Sequence, residues 1–152
     1  VLGHPKEWLE RKIKLYKEHS IQPYLDHGYF LKAFKKGKVN EAIDSAADLG
    51  FSAMEFMNTF GDIPENQIKD WCNRAIKNGM NIIYEHHPES GWRKTKKNTP
   101  TTLKQITESA DRFFDYGAFA MLIDFFNLSS ASSLLSPRRI FSFIYELNNI
   151  DS

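Results

Sequence analysis

The stretch Phe51–His87 decides the fold. It opens with Phe-Ser-Ala-Met-Glu-Phe-Met (51–57), closes with Asn-Ile-Ile-Tyr-Glu-His-His (81–87), and carries an amphipathic helical pattern between them. Two short apolar runs around such a helix are typical of a strand, a crossover helix and a second, parallel strand. Each run is interrupted by a carboxylate, Glu55 in the first and Glu85 in the second. Because a buried charge is costly without a partner, these two residues indicate a site.

The order of helix, glycine and strand recurs through most of the chain. We predict strands at 21–25, 51–57, 81–85 and 119–124, and helices at 5–18, 29–36, 39–49, 64–78 and 101–116. Strands that recur every 30 to 40 residues or so imply successive βα units and a parallel sheet. A doubly wound sheet and a (β/α)8 barrel both fit this pattern, but about four units make only half of a barrel. A Ser-rich segment and one further helical pattern follow at 129–152.

Composition and charge narrow the class of protein. The 20 basic and 19 acidic residues almost cancel, so we expect neither a nucleic-acid surface nor an anionic-membrane surface. No apolar run reaches the length of about 18 residues that a membrane span needs. Cys72 is the single cysteine, which excludes an internal disulfide and fits a reducing compartment. We expect a cytoplasmic, soluble protein in which Cys72 is a small buried residue of the core.

Acidic side chains stand where the predicted strands end. Asp26, Glu55, Glu85 and Asp124 would meet at one rim, because ligands of parallel α/β sheets bind at the carboxyl ends of the strands. Carboxylates that share a small site repel one another unless one is protonated or a cation lies among them. Oxygen ligands favour Mg²⁺. We therefore predict a magnesium site of Glu55, Glu85 and Asp124, with the same residues in catalysis and Asp26 among the substrate-binding groups. The alternative is that each carboxylate simply pairs with a nearby cation.

Histidines at the same rim leave a second metal chemistry open. His27, His86 and His87 lie beside Glu85, and imidazole with carboxylate suits Zn, Fe, Ni or Mn. Adjacent residues of a strand point to opposite faces, so at most one of His86 and His87 would join the cluster. The alternative is that these are loop histidines that only form hydrogen bonds. We include His27 and His86 among the predicted substrate-binding residues.

The segment after the third predicted strand is long, polar and basic. Such a connection is a candidate binding loop or lid, and Arg93 and Lys94 could hold a phosphate or sulfonate when it closes. A solvated run of charges is the alternative interpretation.

Several stretches together resemble the phosphosulfolactate synthase family, which includes heat-stress-associated relatives in plants. The stretches that carry the resemblance are Lys-Ile-Lys-Leu-Tyr-Lys (12–17), Gln-Pro-Tyr (22–24), Leu-Gly-Phe-Ser-Ala-Met-Glu (49–55), Arg-Ala-Ile-Lys-Asn-Gly (74–79) and Tyr-Gly-Ala (116–118). The resemblance spans residues 6–128. It implies a TIM-type (β/α)8 barrel and a Mg²⁺-dependent lyase that adds sulfite to phosphoenolpyruvate in coenzyme M biosynthesis.

The resemblance carries over residue by residue only in part. Glu55 stands at the Glu of the family's Glu-Ile-Ser-Asp-Gly run, where Asn58 replaces the Asp, and we count Asn58 among the substrate-binding residues. Glu85 stands at the Glu of Glu-Val-Gly-Lys-Lys, but histidines follow it in place of the family's lysine. Asp124 replaces a Glu, and the arginine after that Glu has no counterpart here. The acidic residues thus match the family, whereas its basic residues do not.

These observations lead to two hypotheses. The first is an enzyme with a small anionic substrate. The second is an inactive relative that acts in binding or in homo-oligomeric assembly. In both, residues 1–128 form a partial barrel domain and residues 129–152 form a linker and a C-terminal helix.

Overall fold

A computed structural model of the protein describes residues 5–57, 63–86 and 103–123. The described strands are β1 (Tyr24–Leu25), β2 (Ala53–Met57), β3 (Asn81–His86) and β4 (Ala118–Ile123). The described helices are α1 (Lys6–Glu18), α2 (His27–Lys35), α3 (Val39–Leu49), α4 (Glu65–Lys77) and α5 (Leu103–Asp115). The predicted linker and C-terminal helix at 129–152 lie outside these residues.

The four strands form one parallel sheet in the order β1-β2-β3-β4. The prediction of an α/β fold with a parallel sheet is therefore confirmed. In this register Glu55 of β2 lies opposite Ile83 of β3, and Met57 lies opposite Glu85. Because side chains alternate along a strand, Glu55 and Glu85 project from the same face of the sheet.

Helices α2, α3, α4 and α5 pack on the opposite face of the sheet and form the core with it. Met54, Phe56, Ile82 and Tyr84 supply the strand side of that core. Phe30 of α2 is fully buried and lies 5.0 Å from Phe56, measured between ring centroids. The other face of β2 and β3 carries Glu55 and Glu85 beside the apolar residues Ala53, Met57 and Ile83.

Two helices differ in detail from the prediction. Helix α2 begins at His27, two residues before the predicted start, because the Asp26 carboxylate accepts a hydrogen bond from the Tyr29 N–H at 3.1 Å and so caps the helix. In α4 the predicted apolar face included Ile76, which is 43% exposed, and Ala75 is buried in its place.

Cys72 of α4 lies fully within the core, as predicted. Burial raises the pKa of its thiol to about 12, so the thiolate is scarce at neutral pH. This cysteine is a packing residue.

None of the helices in the described ranges has both the length and the apolar character required to cross a lipid bilayer.

Candidate functional site

Two buried carboxylates face each other across β2 and β3. Glu55 is the middle residue of β2, and Glu85 is the next-to-last residue of β3. Each residue is only 3% exposed. The parallel register offsets them by two residues on the face opposite the helices, which is a diagonal arrangement that long side chains bridge. The sequence predicts both residues at strand ends. Glu85 lies near the end of β3, as predicted, whereas Glu55 lies in the middle of β2.

The third member of the cluster is His27, the first residue of α2. Its Nδ1 atom lies 3.0 Å from Oε1 of Glu55 and 2.6 Å from Oε2 of Glu85. The Asp26 cap fixes the start of the helix directly before this residue, so the imidazole is held where β1 passes into α2. The His27 side chain is 41% exposed, whereas the carboxyl side chains of both glutamates are 4% exposed. The histidine thus forms the rim of a buried acidic pair.

The electrostatics of the pair favour one proton or one cation between the carboxylates. Burial, together with a hydrogen bond and charge repulsion from Glu85, raises the pKa of Glu55 to about 7. His27 lowers the pKa of Glu55, because its hydrogen bond and its positive charge favour the ionised carboxylate. The hydrogen bond from Glu85 makes sense only when one of the two carboxyls carries a proton. With a pKa of about 7, the Glu55 carboxyl is protonated about half of the time near neutral pH.

The same three side chains offer donor atoms for a metal ion. One ligand atom from each of His27, Glu55 and Glu85 lies within 4.8 Å of the other two. Two carboxylate oxygens fit the hard-cation preference of Mg²⁺, so this part of the donor set agrees with the predicted ion. The third donor is an imidazole nitrogen, which suits transition metals.

The predicted site residues fall into three groups. The structure brings Glu55, Glu85 and His27 together. Asp26, predicted to bind substrate, has its carboxylate engaged as the α2 cap. His86 is 2% exposed and, by strand alternation, projects with Tyr84 toward the helices, away from Glu85. Four further predicted site residues lie outside the described part of the chain: Asn58, Arg93, Lys94 and Asp124.

The predicted magnesium set did not include His27, which the sequence placed only in the alternative transition-metal cluster beside Glu85. The sequence signal was present, because His27 lies two residues after the end of β1, the strand that pairs with β2. What the sequence did not show is that α2 starts at this residue and directs its ring to the carboxylates.

A separate cavity of about 720 Å³ lies between α1 and β1. Its wall is largely aromatic and aliphatic, and it includes Trp8, Tyr16, Tyr24 and Phe51. It reaches Asp26, but none of the three clustered side chains lines it. Three titratable groups converge at the cluster, whereas Asp26 is the acidic residue in the lining of this cavity.

Comparison with known proteins agrees with the sequence resemblance. The family model described as "(2R)-phospho-3-sulfolactate synthase (ComA)" matches residues 1–138 of the chain. The chain belongs to the phosphosulfolactate synthase family. It is 29% identical over 102 residues to the phosphosulfolactate synthase of Methanocaldococcus jannaschii. That alignment covers 67% of this chain and 37% of the archaeal protein, so the chain matches little more than a third of this family member's length.

Proposed function

We propose that this family member takes part in the reaction of its family, the Mg²⁺-dependent addition of sulfite, or of a similar nucleophile, to phosphoenolpyruvate or a related small acid. The observation that carries the proposal is the convergence of buried Glu55 and Glu85 with His27 on the sheet face opposite the helices. A buried acidic pair has a high energetic cost, and a site for a cation and an anionic substrate accounts for it.

The addition needs stabilisation of negative charge. The sulfur–carbon bond forms at the methylene carbon of phosphoenolpyruvate, the electron pair of the double bond moves toward the neighbouring carbon, and that carbon takes up a proton. A divalent cation would act as a Lewis acid on the substrate oxygens. Glu55 and Glu85 would hold it, and we propose Asp124 as a further carboxylate. The buried position of the two glutamates excludes water from their carboxyls and so strengthens their attraction to the cation.

Groups that recognise the anionic substrate belong to the same proposal. Arg93 and Lys94 would bind the phosphate or sulfonate, and Asn58 would contribute a hydrogen bond. His86 has no part in it, because its side chain projects toward the helices. We also propose the cytoplasm as the location, which fits a small metabolite as substrate.

We further propose that the described sheet is a segment of a TIM-type barrel. Its strands follow one another in sequence order, whereas a doubly wound sheet reverses its order at a switch point. The described core helices pack on one face, and the acidic pair lies on the other. In a barrel that second face is the interior.

The test is product formation by the full chain. Phosphoenolpyruvate, sulfite and Mg²⁺ are incubated with the protein, and ³¹P NMR distinguishes the enol phosphate from the phosphate ester of a sulfonated product. We expect product, and at least a roughly tenfold loss of rate for Glu55→Gln and for Glu85→Gln, the scale of losses seen when a metal site is disturbed. Glu18→Gln is the matched control, because Glu18 is exposed on α1. If no product forms, or if both site variants react like the control, the proposal is wrong.

A second candidate function, homo-oligomeric assembly, is favoured by exposed apolar side chains next to β1. Trp8, Ile21 and Tyr24 are 47%, 52% and 48% exposed around the cavity between α1 and β1. A second copy of the chain is the proposed occupant. Sedimentation velocity should show an oligomer that Ile21→Lys dissociates and that Leu15→Lys, at a 51% exposed position on α1, leaves intact. A monomer at every concentration would rule out this candidate.

A further inference from the structure

We infer that His27, Glu55 and Glu85 form a three-donor site that takes a divalent first-row transition ion, such as Mn²⁺ or Zn²⁺, in preference to Mg²⁺. The inference names the metal class for the site described above, and it rests on the proposed function for the role of the ion. The new element is His27, which the predicted magnesium set does not contain.

The geometry of the donors supports direct ligation by His27. Tetrahedral Zn²⁺ holds ligand atoms at about 2.1 Å and so roughly 3.4 Å apart. Octahedral coordination at about the same distance brings them to roughly 3 Å. The distance from Nδ1 of His27 to Oε1 of Glu55 is 3.0 Å, which meets this spacing. The distance from Nδ1 to Oε2 of Glu85 is 2.6 Å, so this carboxylate has to withdraw by a few tenths of an ångström when an ion binds. Side-chain rotation alone can supply that change.

The three donors are held by three separate elements. Glu55 and Glu85 project from adjacent buried strands, and His27 stands at the capped start of α2. Its Nδ1 atom is directed at the carboxylates, although the side chain as a whole is 41% exposed. A site whose donors are already oriented loses little conformational entropy when it binds its ion.

The chemistry of the donors decides the class of ion. Mg²⁺ prefers oxygen ligands in nearly ideal octahedral geometry and gives up its water reluctantly. Imidazole nitrogen binds Mn²⁺, Zn²⁺ and related ions, and catalytic zinc sites commonly use three protein ligands and leave a position open. The charges also match, because two carboxylates and a neutral imidazole neutralise one divalent ion. In the metal-free chain, the groups that act electrostatically on Glu55 within the described residues are Glu85 and His27.

The test compares metal binding by the full chain after treatment with a chelator. Calorimetric titration measures the affinity for Mn²⁺, Zn²⁺ and Mg²⁺, and electron spin-echo modulation of bound Mn²⁺ reports a coordinated imidazole nitrogen. The variant is His27→Gln, and the matched control is His19→Gln, at an exposed position after α1. Circular dichroism establishes that both variants are folded. Selective ¹⁵N labelling of histidine in the unmodified chain identifies the nitrogen without any substitution.

We expect one Mn²⁺ or Zn²⁺ per chain, bound at least about tenfold more tightly than Mg²⁺, together with a histidine nitrogen coupling. His27→Gln should lower the Mn²⁺ affinity by roughly 10- to 100-fold and remove the coupling, with a much smaller change for Mg²⁺. His19→Gln should change neither quantity.

The inference would be overturned by equal affinity for Mg²⁺ and Mn²⁺, by bound Mn²⁺ without a histidine nitrogen, or by a coupling that persists in His27→Gln. A chain that binds no divalent ion also overturns it. Product formation with Mg²⁺ and no nitrogen coupling refutes this inference and leaves the proposed function intact. If the chain binds nitrogen-coupled Mn²⁺ but does not convert phosphoenolpyruvate and sulfite, the proposed function is refuted and this inference stays intact.

Discussion

Replacing Glu55 with glutamine should stabilise the metal-free protein above neutral pH. The pKa of Glu55 rises from its ordinary value of 4.5 to about 7 on folding, mainly because the carboxyl is buried and faces Glu85. Between these two pH values the folded chain holds a proton at Glu55 that the unfolded chain releases. The free energy of unfolding therefore falls as the pH rises through this window, and the stabilising contribution is complete only below about pH 4.5.

The size of the effect follows from the two pKa values. At about 1.4 kcal/mol for each tenfold change in proton affinity, the cost of ionising Glu55 reaches roughly 3 kcal/mol above pH 7. Glutamine keeps the shape of the side chain, and its amide can accept from His27 and donate to Glu85 without carrying a charge. We expect Glu55→Gln to raise the free energy of unfolding by about 2 to 3 kcal/mol at pH 8 and to change it little at pH 4.5.

The assay is denaturant unfolding of the full chain in the presence of a chelator, at intervals between pH 4.5 and 8. The difference between the variant and the unmodified chain isolates the contribution of Glu55 from the other titrating groups. Thermal melts should show a rise of roughly 2 to 4 °C for each kcal/mol. Glu18→Gln, at the exposed end of α1, provides the baseline.

The reasoning would be refuted if Glu55→Gln destabilised the protein at pH 8, or if its effect were the same at pH 4.5 and at pH 8. The first result would mean that folding favours the ionised carboxylate, and the second would mean that folding does not shift the pKa of Glu55.

Three further predictions concern the cap, the core and the cysteine. Asp26→Ala should lower the free energy of unfolding by about 1 kcal/mol, because the Tyr29 N–H loses its acceptor. Asp26→Asn should keep both the stability and the metal affinity, and a loss of metal affinity in this variant would show that Asp26 takes part in metal binding and is not only a helix cap. Phe30→Ala should lower the free energy of unfolding by about 3 to 5 kcal/mol, because Phe30 is fully buried. Phe119→Ala, at a 68% exposed position, should change it by less than about 0.5 kcal/mol. Similar effects of the two variants in denaturant unfolding would contradict the described core. Alkylation of Cys72 at pH 8, followed by mass spectrometry, should be at least roughly a hundredfold slower in the folded chain than in the unfolded chain. The reason is that the buried thiol has a pKa of about 12. Equal rates would contradict the burial of Cys72.

The sequence was most informative where local rules act alone. The amphipathic spacing in Val39–Leu49 and the glycine after it predicted the bounds of α3, and Gly50 indeed ends that helix with a left-handed backbone at φ 89°. The apolar runs around Glu55 and Glu85 predicted β2 and β3 for the same reason, since alternation and strand length are properties of neighbouring residues. The family was likewise predicted from the order of short stretches, and the family model confirmed it.

Local rules were insufficient where contacts between residues distant in the sequence decide which side chains are buried and which ones meet. Ile76 fits the apolar face of α4 by spacing, but the packing of α4 buries Ala75 instead and leaves Ile76 half exposed. Asp26 and His27 fell between the predicted strand at 21–25 and the predicted helix at 29–36, although the cap that starts α2 is a local hydrogen bond. The contact of His27 with Glu55, 28 residues further along the chain, is the part that local rules could not give. His86 follows Glu85 directly, and strand alternation separates the two onto opposite faces.

The sequence by itself determined the parallel α/β class, the family and the identity of the two carboxylates. These follow from periodicity, from motif order and from the cost of a charge in an apolar run. Only the tertiary structure decided that Glu55 and Glu85 share one face with His27 as their common neighbour. The physical reason is register: Met57 pairs with Glu85, and Glu55 with Ile83. This pairing joins strands that are distant in the sequence, and it is fixed only when the apolar face of each strand is buried against the helices.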